Sequence, residues 1–270
     1  MRSVLQNKKI IGAEVVPDEI VLSGHAPEEV QAALLGRTVT EIGRKGKYWW
    51  LEFADMPRVY GHLGMAGWIR EVPPQGTSVK EFRLREHGEA PLYDETGRPR
   101  FLKLMLTAED GRRIAFTDSR RFARLWLGNE TDPRVGKLGR DAYDDLPTAK
   151  ELAAIFAKRK APIKAVLLDQ AVFAGIGNWI ADEVLFQARI APARLGNTLK
   201  PKEVAALRDA LTQVVGHAVA VEADYERFPE DWMFHVRWGG DKGAEIISGH
   251  PIVRETIGGR TTAWVPKLQR

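Results

Sequence analysis

The sequence changes its hydrophobic period near residue 130, and that single change limits the chain to a two-part α+β build. Before it, apolar and aromatic residues gather in short β-type runs: KYWWLEF (47–53), RVYGHLGMAGWI (58–69), FLKLMLT (101–107), RRIAFT (112–117) and ARLWL (123–127). AEDG between the third and fourth runs is a turn sequence. EEVQAALLG (28–36) reads as a helix that Gly36 ends, and the Pro-, Gly- and charge-rich stretch 71–99 as a long exposed loop. After LGNETDPRVG (127–136) the apolar residues return at helical spacing. Thr148 caps TAKELAAIFAKRK, IKAVLLDQ is a short helix, Asn178 caps NWIADEVLFQARI, and LKPKEVAALRDALTQVVGHAVAVEA is a long amphipathic segment. No repeat or low-complexity tract interrupts this order.

The chain ends on TIGGRTTAWVPKLQR, a tight turn feeding a short strand, with Arg260 near the tip of the hairpin. A hairpin of this length is marginal alone, and a metal often staples one. This chain has no cysteine, which excludes disulfides, thiolate zinc sites and cysteine nucleophiles. Its six histidines form no HExxH pair, so metal-free chemistry without a cofactor is expected. No apolar run reaches the length of a membrane span and the first residues lack a signal-peptide core, which places the expected site of action inside the cell. The 40 basic and 36 acidic residues give a net charge of +4. Distribution is more telling than the total. KRKAPIK (158–164) has no acid, and residues 232–270 carry six basic side chains against three acidic ones. A solvated face accounts for either cluster alone; together they fit an anionic partner.

The densest chemistry lies in IKAVLLDQAVFAGIGNWIADEVLF (163–186), a short helix, a glycine turn and a helix. Gly175 and Gly177 allow a close backbone approach, and the following helix N-terminus suits an anion. An ordinary helical hairpin has the same spacing. The run LLDQAVFAGIGNWIADEVLFQARIAP (167–192) resembles the helix–two-turn–helix signature of the formamidopyrimidine-DNA glycosylase family, and matching segments follow in that family's order. GRKGKYWWLEF (43–53) is similar to the strand bearing its catalytic lysine, HLGMAG (62–67) to its HLGM turn, and DSRRFARL (118–125) to its D-x-RRF segment. LGRDAYDD (138–145) is similar to the linker entry and GGRTTAWVP (258–266) to the terminal finger. The stretch 221–269 looks like the plant and fungal branch, whose finger keeps its strands without zinc.

The resemblance implies an N-terminal β-sandwich over 1–130, a helix–two-turn–helix domain over 131–224 and a zincless finger hairpin over 225–270. It further implies a monomeric glycosylase and abasic-site lyase of base-excision repair. Such an enzyme acts on duplex DNA with an oxidised purine or an abasic site, flips the damaged nucleotide out, and proceeds through a Schiff base at C1′. The compartment would be the nucleus in a eukaryote and the cytoplasm or nucleoid in a bacterium. DNA would lie in a basic cleft between the domains. By the same resemblance Lys47 is a general acid, Arg260 is a catalytic-site residue beside it, and Arg260 and Asn178, with Gly177, Arg159, Lys160 and Lys164, grip phosphates. Met65, Arg120 and Phe122, beside Arg121, fill the gap left by the flipped base, and Glu183 orients the N-terminal segment. Packing of Trp232, Phe234, Trp238, Trp264 and Val265 is expected to replace the metal in the finger.

Two positions depart from the family pattern. MRSVLQNKKIIG lines up with the helix after the family's N-terminal Pro-Glu-Leu-Pro-Glu-Val-Glu, so the nucleophilic proline and its glutamate are not in this sequence. Phe101 stands near a place where relatives often carry a DNA-contacting histidine. A start recorded too late and a lesion-binding protein without catalysis are the two explanations for the first departure.

Overall fold

The computed structural model describes residues 1–73, 92–239 and 246–270. The chain forms two compact units, Met1–Gly136 and Lys137–Arg270. Most of the expected 71–99 loop lies outside the described residues.

The first unit opens with a single helical turn, α1 (Arg2–Leu5), and β1 (Ile10–Val15), followed by α2 (Pro27–Ala32) and four strands: β2 (Glu41–Lys45), β3 (Tyr48–Glu52), β4 (Arg58–His62) and β5 (Gly67–Val72). Then come β6 (Leu102–Ala108), β7 (Arg113–Asp118), β8 (Arg124–Gly128) and the turn α3 (Pro133–Gly136). The strands form two four-stranded sheets, β1-β6-β7-β5 and β2-β3-β4-β8, with antiparallel neighbours throughout. Alternation along β6 buries Leu104, Leu106 and Ala108 in the main core, while Leu102, beyond a register shift, joins Val72, Tyr93 and Ala115 in a smaller cluster. Trp49 of β3 meets Phe116 of β7 edge-on, ring centroids 5.6 Å apart, so the two sheets share one core.

Two strand glycines make room for the indoles of this unit. Gly43 pairs with Trp50 and Gly61 with Trp49; a Cβ on either would sit 1.9 or 2.2 Å from the facing ring. On the outer face Tyr60 stacks on Trp126 at 5.5 Å, Trp126 donates to Asp132 at 2.7 Å, and Tyr60 donates to the Asn129 carbonyl at 2.7 Å.

The second unit contains β9 (Arg140–Asp141), α4 (Ala149–Ala157), α5 (Ile163–Leu168), β10 (Phe173–Ala174), α6 (Asn178–Gln187) and α7 (Pro201–Ala220). Short strands β11 (Ile246–Ile247) and β12 (His250–Pro251) precede the terminal hairpin of β13 (Val253–Ile257) and β14 (Arg260–Trp264). Thr148 and Glu151 cap α4 reciprocally, as its sequence indicates. Leu152, Phe156, Leu167, Val184, Leu185, Leu207 and Leu211 fill the helical core. No helix among the described residues is long and apolar enough to cross a membrane.

The finger differs from the aromatic packing expected of it. Trp232 and Phe234 belong to the helical core, where they join Trp179 and Phe228. Trp238 is 60% exposed, and Trp264 donates to Glu255 on the hairpin's partner strand. The hairpin's own apolar cluster is mainly aliphatic: Ile247, Ile252, Ala263 and Val265 against Met233 and Phe186. Of the five residues expected to replace the metal, Val265 alone sits in that cluster. Small side chains on a short, twisted ribbon leave too little depth for stacked indoles.

Candidate nucleic-acid interface

In the first unit, two turns are packed backbone against backbone. Gly64 of HLGMAG adopts φ +62°, and a Cβ there would stand 2.6 Å from the Phe122 carbonyl. Only glycine permits both the conformation and the approach. Gly67 closes the same turn by donating to the Leu63 carbonyl at 2.8 Å. The facing loop is shaped by Asp118, buried at the end of β7, whose carboxylate accepts from Arg120 N at 3.0 Å and Ala123 N at 2.6 Å. The outcome is an exposed trio on a rigid base. Met65 is 64% and Phe122 45% exposed, and the Arg120 guanidinium lies 5.0 Å from the Phe122 ring centroid. Two large apolar side chains held out in water by tightly made turns suit insertion between stacked bases. Phe101 joins this region through its backbone: it accepts from Asp118 N at 3.0 Å.

Lys47 lies in the two-residue turn between β2 and β3, after Gly46 with φ +58°. Its carbonyl accepts from Leu63 N at 3.0 Å, which ties this turn to the Gly64 turn. Beside it stands His62, a residue the sequence reading quoted without assigning a role. Its ring lies 4.4 Å from that of Tyr48, and its Nδ1 accepts from Gly64 N at 3.2 Å. Burial, with Lys47 and Arg124 adding repulsion, lowers the imidazole pKa to about 4, so the ring is neutral at pH 7.

In the second unit, Gln170 builds the glycine turn. Its amide donates to the Leu168 and Ile176 carbonyls at 3.0 and 2.9 Å and accepts from Gly175 N at 3.0 Å. The turn delivers the chain to α6 with Gly177, not Asn178, at the N-cap. The expected capping by Asn178 is thus corrected: as the first helical residue it cannot fold back on the helix amides. Its Nδ2 reaches the Thr261 carbonyl at 2.9 Å instead. Arg260 is exposed at the start of β14, paired with Ile257 across the Gly258–Gly259 turn. Asn178 and Arg260, 82 positions apart in sequence, are therefore brought together through Thr261.

Lys164 does not join them at the surface. Its side chain is fully buried, bonded to Asp182 at 2.5 Å and to the Thr261 carbonyl at 3.1 Å. The expectation that it grips phosphate is corrected, because a side chain sealed in an ion pair has no path to a phosphate. Arg237 completes the group, donating to the other Asp182 oxygen at 2.6 Å, and Ala263 N donates to that same oxygen at 3.3 Å. Desolvation lowers the Lys164 pKa, against the pull of Asp182. This buried triad, invisible in the sequence because its members are scattered, ties β14 to α5 and α6 and holds the hairpin that has no cysteine. Gly258 adds to the bond: a Cβ there would meet that of Ala165 in α5 at 2.8 Å.

The remaining expected residues are placed as follows. Arg159 and Lys160 lie on the exposed connection after α4, where Arg159 pairs with Asp169 at 3.5 Å. Arg121 is engaged by Asp18 through both Nε and Nη2, each at 2.9 Å. Glu183 is buried on α6; it accepts from Phe234 N at 2.9 Å and from Gln187 at 2.9 Å. Burial outweighs these bonds and raises its pKa to about 7. No metal-competent group of His, Asp and Glu occurs among the described residues.

Comparison with known proteins agrees with this geometry. Residues 1–125 match the model of the formamidopyrimidine-DNA glycosylase N-terminal domain, and residues 138–229 that of the formamidopyrimidine-DNA glycosylase H2TH domain. The formamidopyrimidine-DNA glycosylase of Arabidopsis thaliana is 38% identical over 265 residues, covering 97% of this chain and 66% of that protein. The chain thus spans just under two thirds of that relative. The enzyme of the same name from Moorella thermoacetica is 35% identical, covering 80% of this chain and 73% of its own length. Among solved structures, the complex between the Lactococcus lactis Fpg and an abasic site containing DNA superposes with a TM-score of 0.74 at 25% identity, covering 100% of this chain and 95% of that one.

Proposed function

Because this chain belongs to the formamidopyrimidine-DNA glycosylase family, we propose that it is a base-excision-repair DNA glycosylase and abasic-site lyase acting on duplex DNA. Its substrates are oxidised purines, formamidopyrimidine and 8-oxoguanine, and abasic sites. The observation that carries this reading is the packing of Gly64 on Phe122, which presents Met65, Arg120 and Phe122 together as an exposed wedge. A base flipped from the stack leaves a gap costing a few kcal/mol, and such a wedge offsets that cost. Arg260 and Asn178, with the N-terminal turn of α6, grip the backbone phosphates of the flipped nucleotide. Arg159 and Lys160 add longer-range attraction. The hairpin is of the zincless kind, held by the Asp182 triad.

In the chemical step an amine attacks C1′ and the C1′–N9 bond breaks, the base leaving with the proton the amine gives up. The C1′–O4′ bond then opens, O4′ takes a proton from a general acid, and the iminium forms between amine and sugar. Lys47 serves as the general acid of that step. In the family the amine is that of an N-terminal proline followed by glutamate, whereas residues 1–7 here read MRSVLQN.

Borohydride trapping on a duplex with one abasic site tests this reading, using residues 1–270 alone and the same chain extended by Pro-Glu-Leu-Pro-Glu-Val-Glu and a linking residue. Covalent capture of the extended form supports the lyase. Tight abasic-site binding with no capture by either form replaces it with a damaged-DNA binding protein. On a duplex carrying 8-oxoguanine in place of the abasic site, loss of capture in Lys47→Ala of the extended form is expected, and undiminished capture there removes Lys47 from the mechanism.

A further inference from the structure

Arg121 lies between Arg120 and Phe122, and its neighbours in sequence point to a third DNA contact. Its surroundings point elsewhere. It adopts φ +57°, a left-handed conformation that is strained for a non-glycine residue. Its guanidinium closes a two-pronged bond on Asp18, with Nε on Oδ2 and Nη2 on Oδ1. Only 6% of the Asp18 side chain is exposed, and it also receives Lys103 of β6 at 3.0 Å and the Val21 amide at 3.2 Å. The loop that carries Asp18 is itself fastened at both ends. Val16 N donates to the Lys103 carbonyl at 3.0 Å, and Leu125 N of β8 donates to the Val21 carbonyl at 2.6 Å. Arg124 holds the Arg121 carbonyl at 3.0 Å.

We propose that Arg121 is a positioning residue, which, locked on Asp18 and through it on Lys103, fixes the angle at which Arg120 and Phe122 enter the duplex. This rests on the DNA-repair reading and deepens it. Arg120 and Phe122 stand together, the Arg120 guanidinium near the Phe122 ring, with Arg121 between them, so the left-handed backbone at Arg121 sets the direction in which the pair projects. The Asp18 bond holds the strained residue in place. An arginine reaching for phosphate needs its fork available, whereas this fork has its Nε and one Nη on a carboxylate whose partners already pin it. The charge of Asp18 stays in place across the working pH range, because the Arg121 bond, followed by Lys103 and the Val21 amide, pulls its pKa far below the carboxylate range against the opposing cost of burial.

Two measurements on one set of proteins separate positioning from phosphate contact. The set is the wild type, Arg121→Gln, Asp18→Asn and the double variant. The first measurement is stopped-flow fluorescence of 2-aminopurine placed opposite a tetrahydrofuran abasic-site analogue, which reports entry of the wedge. The second is the slope of log affinity for the same duplex against log salt, which counts neutralised phosphates. Positioning predicts an insertion step about tenfold slower in Arg121→Gln and in Asp18→Asn, no further loss in the double variant, and an unchanged salt slope. A slope smaller by about one in Arg121→Gln, with Asp18→Asn inserting normally, makes Arg121 a phosphate contact and overturns the proposal. Asp18→Asn also weakens the partner of Lys103, so melting temperatures accompany the set. Should Asp18→Asn fail to fold, Arg121→Gln, half exposed and leaving Asp18 on Lys103, decides by its insertion rate and slope alone. A wild type that gives no fluorescence step overturns the DNA reading and the positioning role with it. A wild-type step that survives intact in Arg121→Gln overturns the positioning role alone.

Discussion

Gly64 is the residue on which the wedge depends most. A side chain there meets two penalties at once, a left-handed backbone and a carbonyl 2.6 Å from the new Cβ. Gly64→Ala is therefore expected to destabilise the first unit by about 2–4 kcal/mol, and urea unfolding followed by tryptophan fluorescence measures it. A variant as stable as wild type would mean that the two turns separate without cost. Glu183 makes a different single-residue prediction. Its carboxyl has a pKa of about 7 in the folded chain against a reference of 4.5. Between those values the unfolded chain releases its proton first, so stability falls as pH rises through that window. Glu183→Gln keeps an acceptor for Phe234 N and removes the titration. The variant should match wild type near pH 4.5 and exceed it by on the order of 2 kcal/mol at pH 8. An equal difference at both pH values would assign the effect to packing.

At the scale of elements, the terminal hairpin joins the helical unit through one buried carboxylate. Asp182→Asn leaves Lys164 and Arg237 with a neutral partner in a buried site, and breaking a buried pair costs about 3–5 kcal/mol. Hydrogen exchange should show β13 and β14 losing protection while α7, which has no part in the triad, keeps it. Equal loss in both would make the triad a support of the whole unit, not of the finger. The hairpin was legible in the sequence because Gly-Gly between β-type residues carries its own turn signal; both glycines have positive φ. Its fastening was not. Lys164, Asp182 and Arg237 are separated by 18 and 55 residues, and no local pattern marks a charged residue that will be buried. The aromatic residues nearby were a stronger signal in the sequence, yet Trp232 and Phe234 pack with the helices. Asn178 was misread in the same way: a residue type favoured at caps was assigned one, while the glycine before it took the position. The two packed turns that present Met65, Arg120 and Phe122 were legible as the motifs HLGMAG and DSRRFARL, but Asp18 lies 103 residues from Arg121 and has no sequence signal.

At the scale of the whole molecule, the change of period near residue 130 was the most readable feature, since β-type and helical burial leave different spacings over many residues. It corresponds to two units, each with its own core. Each unit also holds a titratable group whose surroundings oppose its charge, of opposite kind in the two, which sets a prediction neither unit makes alone. His62 in the first is held neutral, with a pKa of about 4 against 6.5 for a free imidazole. Below pH 6.5 the unfolded chain takes up a proton that the folded one refuses, so this unit loses stability as pH falls toward 4. Glu183 in the second has the reverse sign, and its unit gains stability as pH falls from 7 toward 4.5. Hydrogen exchange at pH 7 and pH 5, corrected for the intrinsic rate, should therefore show protection decreasing in β3 and β4 and increasing in α6. His62→Gln should flatten the first change and leave the second, and Glu183→Gln should do the converse. Shifts of the same sign in both units would mean that other carboxylates outweigh this pair, and the assignment of each unit's pH response to one buried group would fall.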